Sequence, residues 1–127
     1  MRRNEIPEEV LRFIERRINS VPHLEALLLL RQNATRTWSD SEIAARVYVA
    51  PERARAVLED LARSGFITSV AADRFAYNTG WDESQLMEKV AAAYRQHLVH
   101  LSEIIHAKAA SEAVRDFARA FQFKPEE

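Results

Sequence analysis

The sequence predicts a mainly α protein with one small β-hairpin, and three observations lead there. Glycine and proline together supply only six of the 127 residues, so long stretches contain nothing that breaks a helix. Apolar residues recur three and four apart through most of the chain, the period of a helix with one buried face. Around Phe66, Ile67, Thr68, Val70, Phe75 and Tyr77 that period gives way to β-branched and aromatic residues, which favour strands.

Taken in order, the elements follow from local rules. Pro7 ahead of Glu8 and Glu9 suits a helix start, because proline is pre-set for a first turn and acids favour the positive end of the helix dipole. Val10, Phe13, Ile14 and Ile18 then share a face, leaving Arg12, Glu15, Arg16 and Arg17 outside. A second helix is capped by Ser20, takes Pro22 in its first turn and leaves at Asn33. Leu24, Leu27, Leu28 and Leu30 form its core face. Leu29 makes it apolar on more than one side, so it is expected at the centre of the fold. Thr37 and Trp38 suit a brief strand. Ser39 and Glu42 have the S-x-x-E spacing of a capping box, opening a helix from Asp40 to Val47 that groups Ile43, Ala44 and Val47.

Pro51 disfavours helix at Ala50 and suits the first turn of the next helix. That helix is expected to run to Ser64, burying Ala54, Val57, Leu58 and Leu61, with Gly65 as its left-handed stop. The hairpin follows, with Ala71–Arg74 as its turn. After Gly80 neither glycine nor proline occurs until Pro125. Asp82 and Gln85 offer a capping pair, and one long helix is expected to about Ala107, with an apolar stripe running from Leu86 through Val90, His97, Leu98 and Leu101 to Ile105. A last helix, SEAVRDFARAFQF, groups Val114, Phe117, Ala118 and Phe121, and the KPEE tail is expected to fray. Three segments result: an N-terminal helix over 1–20, a central unit over 21–79, and a helical extension over 80–127.

Apolar residues at 47% and charged residues at 29% indicate an ordered chain with a core. With no cysteine, disulfides and thiolate metal sites are excluded. The apolar run Ala26–Leu30 is too short to span a bilayer, and no signal-type apolar stretch follows Arg2 and Arg3. A soluble cytoplasmic protein without membrane partners is expected. The net charge is −1. Residues 1–20 carry five arginines against four glutamates, residues 21–80 carry seven arginines against seven acids, and residues 81–127 carry six bases against eight acids. No segment is a strongly basic footprint. Fifteen of the 18 basic residues are arginine, which suits phosphate recognition. The 20 alanines beside them fit a GC-rich coding bias equally well.

The stretch SDSEIAARVYVAPERARAVLEDLARSGFI, followed by TSVAADRFAYN, resembles a winged helix-turn-helix domain of the kind found in MarR-like and ArsR-like bacterial regulators. The resemblance covers Pro22 to Asn78, about half the chain. It implies a positioning helix, a recognition helix Pro51–Ser64 for the major groove of double-stranded DNA, and a hairpin wing beside the minor groove. With Ala54, Val57, Leu58 and Leu61 inward, the outer face carries Glu52, Arg53, Arg55, Ala56 and Asp60. Recognition helices read bases with their N-terminal residues, and arginine can pair with guanine through two bonds. Arg53 and Arg55 are therefore the implied base contacts. Arg74, beside Asp73, is the implied minor-groove residue at the wing tip. Arg36, Ser39 and Ser41 are implied phosphate contacts at the capped helix start.

Each of these residues has a plainer reading. Arg53 and Arg55 suit a solvated helix face paired with Glu52 and Glu59. Arg74 suits an exposed turn, and Trp38 suits the core. Glu52, Glu59 and Asp60 on or near the presumed reading surface would repel phosphate. His97, His100 and His106 include a pair three apart, which can share a metal, but structural or solvated roles are favoured and neither metal nor cofactor is expected. A pH- or metal-sensitive interface is the alternative for them. The extension exceeds what a small winged domain needs, so a homodimer through it is expected. No phosphate loop, cysteine nucleophile or serine elbow is present, so an enzyme is not expected. Two functions stay open: a DNA-binding transcriptional regulator, and a protein-interaction module on the same fold.

Overall fold

A computed structural model describes the backbone of residues 6–122 and the side chains of residues 6–120. Six helices and a three-stranded antiparallel sheet make up the described chain: α1 (Glu8–Arg17), α2 (Val21–Gln32), β1 (Thr37–Ser39), α3 (Asp40–Val47), α4 (Pro51–Arg63), β2 (Ile67–Ala71), β3 (Arg74–Tyr77), α5 (Ser84–Gln96) and α6 (Leu98–Gln122). Arg2, Arg3, the Phe121 side chain and the KPEE tail lie outside the described residues.

The local signals place most element ends. Ser20 caps α2, its hydroxyl accepting from the His23 N–H. Ser39 and Glu42 form the full capping box on α3. Pro51 is the first residue of α4. Gly65 leaves that helix at φ +89°, with Gly65 N–H donating to Ala62 O and Phe66 N–H to Leu61 O, the two bonds of a Schellman stop. Any side chain at Gly65 would have to adopt the left-handed conformation.

The sheet has the order β1-β3-β2. The expected two-stranded hairpin gains a third strand, because Trp38 pairs with Phe75 and Thr37 with Ala76. The β2–β3 turn is only Ala72 and Asp73, and the register slips between Ser69 and Ala71. Val70 sits in that bulge and is exposed. β3 alternates, with Phe75 and Tyr77 inward.

The helix expected over 82–107 divides instead at His97, which has φ −133° and ψ 38°. Its N–H still bonds Ala93 O and its carbonyl accepts from Leu101 N–H, so the chain bends without losing these two bonds. α6 then runs on through the segment read as a separate last helix. Leu101 and Ile105 are buried, whereas Leu98 is exposed rather than part of the stripe. The expected Asp82–Gln85 cap is absent: Glu83 holds the N-cap position with no side-chain bond.

One apolar core joins all three expected segments, from Ile6 and Val10 through Leu27 and Leu58 to Met87 and Leu101. α1 docks through Phe13, whose ring lies 5.8 Å from Phe66 and 6.3 Å from Trp81, while Phe66 and Trp81 meet edge-on at 4.5 Å. Lys108 of α6 donates to Ile14 O at 3.4 Å and Ile18 O at 2.8 Å, satisfying carbonyls at the end of α1. The described part of α6 beyond Lys108 lies exposed, including Val114 and Phe117. No described helix is long and apolar enough to cross a membrane.

Asp82 is the polar counterpart of this core. It accepts from Arg31 Nε at 2.8 Å, from the Tyr77 hydroxyl, and from Ser84 Oγ at 2.8 Å, tying α2, β3 and α5 together. Burial raises its pKa, but these three bonds outweigh burial and the net shift is downward. Asp82→Ala would leave Tyr77 without its acceptor and Arg31 with only the exposed Glu88, and should lower unfolding free energy by about 2–4 kcal/mol. Denaturant unfolding would measure it, and a loss below experimental error would contradict this role.

Burial, then the bond each donates to a carboxylate, raises two phenols: Tyr77, bonded to Asp82, and Tyr94, bonded to Glu25 and pushed up to about 12. The fold favours their neutral forms. Their stabilisation is therefore full below the ordinary phenol value of about 10 and is lost as pH rises toward 12. Phenolate absorbance and stability should show this window, with Tyr94→Phe removing part of it.

Candidate nucleic-acid interface

α4 packs between α2 and α3 with Ala54, Val57, Leu58 and Leu61 buried. This rotation exposes Pro51, Glu52, Arg53, Ala56 and Glu59. A second restraint joins α4 to α2: His23, only 5% exposed, donates through Nε2 to Asp60 Oδ2 at 2.9 Å, while its Nδ1 pairs with Ser20 Oγ at 2.6 Å. Asp60 also meets Arg63. Asp60 therefore does not belong on the outer face where the sequence reading put it; it is turned toward α2. The sequence reading missed His23 as well. Its signal was a histidine three residues after a capping serine on an apolar helix. The order Ser–His–Asp superficially suggests nucleophilic chemistry, but the serine oxygen already caps α2.

The six residues singled out from the sequence lie on or beside β1, α3, α4 and β3, in different states. Arg53 and Ser41 are exposed, and neither makes a side-chain hydrogen bond or ion pair among the described residues. Arg55 is committed. Its Nε donates to Glu59 at 3.0 Å, one terminal nitrogen reaches Asp40 at 3.5 Å, and the other donates to Ala72 O at 3.1 Å. The last bond ties α4 to the hairpin turn. The Glu59 bond, the largest influence, raises the Arg55 pKa.

Arg74 does not extend from the hairpin tip toward solvent, as expected for a groove probe. Its guanidinium folds back on β1, donating to Thr37 O at 3.1 Å and Thr37 Oγ1 at 3.0 Å, with Glu42 at 3.6 Å. Arg36 meets Glu42 at 3.2 Å and lies 3.7 Å above the buried Trp38 ring. Arg46 approaches the same ring at 5.4 Å. Glu42 thus caps α3 and gathers two arginines. Its pKa is lowered, first by the Ser39 N–H and, against partial desolvation, by Arg74 and Arg36. Ser39 is spent on the cap, its N–H donating to Glu42 and its hydroxyl accepting from Glu42 N–H.

The turn between α3 and α4 holds one conformational outlier. Tyr48 has φ 60° and ψ 48°, and Val49 N–H bonds Ala44 O across it. This is the place in a helix stop that glycine normally takes. Yet Tyr48 is 91% exposed, so little burial offsets the strain. Tyr48→Gly should stabilise the fold by about 1 kcal/mol. Thermal or urea unfolding would read it, and a destabilised variant would mean that the ring makes contacts beyond those seen.

Among the described residues no group of three or more histidines and acids could hold a metal. His97 is half-buried, and His100 and His106 are exposed on α6. Comparison of the chain with known protein families, curated proteins and solved structures finds no match.

Proposed function

We propose that the chain is a winged-helix DNA-binding transcriptional regulator of the MarR-like or ArsR-like kind, with α4 entering the major groove and the β2–β3 hairpin as its wing. The observation that carries this reading is the outward start of α4. A 13-residue helix is seated on a rigid core with its N-terminal outer face exposed and Arg53 carrying no carboxylate partner among the described residues. Recognition helices read base edges from this end. Arg55 of the same helix bonds Ala72 O in the β2–β3 turn, and Ser41 is exposed at the start of α3.

The side-chain geometry divides the candidate roles. Arg53 is the base or phosphate contact. Ser41 is the phosphate contact, near the positive end of α3. Arg55 holds the wing against α4 and would need to leave Glu59 to touch DNA. Arg36, Ser39 and Arg74 brace α3 and the sheet through Glu42. α6 supplies the surface for a homodimer, which would double a small footprint and match a two-fold target.

A second reading is a protein-interaction module on the same fold. The pairing of Arg36, Arg55 and Arg74 with Glu42, Glu59 and Asp40 favours it, because this surface is close to neutral.

The test is binding to the DNA upstream of the protein's own gene across a salt series. Arg53→Ala should weaken specific binding by about 1–3 kcal/mol, or about fivefold to 150-fold. If Arg53 instead meets a phosphate, the salt slope should fall by about one unit. Arg55→Ala should loosen the wing and weaken binding less. Retention of a protein partner with no binding of that DNA would favour the second reading, and DNA binding indifferent to Arg53 would remove Arg53 as the contact.

A further inference from the structure

We propose that the first turn of α4 selects two neighbouring G·C base pairs through side chains of opposite sign. Arg53 reads the guanine of one pair, and Glu52 reads the cytosine of the next. Glu52 is then a specificity determinant rather than a group that only repels DNA. This rests on the reading of α4 as a recognition helix. Glu52 is exposed at the second position of that helix, directly after Pro51. A carboxylate at the mouth of a phosphate-lined groove costs affinity unless it meets a donor there.

The fold does not engage this carboxylate. α4 has no side-chain cap, and Glu52 makes no side-chain hydrogen bond or ion pair among the described residues. The other acids of α3 and α4 are all held: Asp40 and Glu59 by Arg55, Glu42 in the α3 capping box, and Asp60 by His23. Arg53, the next residue, is exposed and equally unengaged. Consecutive helical residues point about 100° apart and do not pair with each other. Glu52 and Arg53 therefore keep their full hydrogen-bonding capacity for whatever meets this end of α4.

The chemistry of the major groove makes such a pair selective. Guanine alone presents acceptors without a donor, and cytosine alone presents a donor without an acceptor. A guanidinium only donates and a carboxylate only accepts. Glu52 placed on adenine, thymine or guanine would meet an acceptor beside or instead of a donor, which counts against those bases. Arg36, Arg55 and Arg74 are held by carboxylates, so few cations remain for phosphate and base edges carry more of the binding. An acid in a first turn also favours the helix dipole, but that effect has no base preference.

The test is selection of bound duplexes from a randomised DNA pool by the full chain and by Glu52→Gln, Glu52→Ala and Arg53→Ala. Competition binding then compares the selected site with its single-base-pair changes. The expected motif holds two adjacent G·C pairs, and replacing either by A·T should weaken the unaltered chain by about fivefold to 150-fold. Glu52→Gln should move the cytosine position toward adenine, which a glutamine reads through two bonds, and leave the other positions as they were. Glu52→Ala should relax that position alone, and Arg53→Ala the neighbouring guanine. A motif unchanged by Glu52→Gln and Glu52→Ala, or an affinity change equal at every sequence, would overturn the inference and leave α4 as the reading helix. Failure of the unaltered chain to enrich any motif would overturn the inference together with the DNA reading.

Discussion

The rotation of α4 is the constraint from which the surface follows. Ala54, Val57, Leu58 and Leu61 can be buried together in only one orientation of the helix, and His23 bound to Asp60 holds the same orientation from the polar side. Apolar burial contributes about 25 cal/mol per Å² without regard to direction, so it does not by itself resist small rotations. A short bond between a buried imidazole and a carboxylate is directional. Together they decide that Arg53 faces out and that Asp60 faces α2.

Charge on this surface is organised as much for structure as for contact. Glu42 completes the α3 capping box and draws in Arg36 and Arg74, while Arg55 links α3, α4 and the hairpin turn. Exposed ion pairs are each worth little. Their main consequence is to lower the positive potential offered to an approaching polyanion. Electrostatic steering would accordingly be weak, and affinity would rest on the few groups that remain uncommitted.

Features set by neighbours in sequence were legible in advance. The capping box at Ser39 and Glu42, Pro51 as a first residue, Gly65 as a left-handed stop and the buried stripe of α4 each depend on fewer than a dozen consecutive residues. Features set by distant partners were not. The pairing of Trp38 with Phe75 enlarges the sheet across 37 residues of sequence. The bend at His97 has neither glycine nor proline to announce it. At the candidate site, the outward placement of Arg53 followed from helical period. The inward fold of Arg74 did not, because a long flexible side chain takes the direction of its tertiary partners, here Thr37 and Glu42.

The most direct measurement of the central claim, that the exposed start of α4 is the reading surface, is backbone amide shift mapping on isotope-labelled protein titrated with the upstream DNA. Perturbations concentrated at Ser41, Glu52, Arg53, Ala56 and Ala72 are the expected result, with α1 and the core face of α2 silent. Perturbations confined to α6, with the start of α4 unmoved, would contradict it.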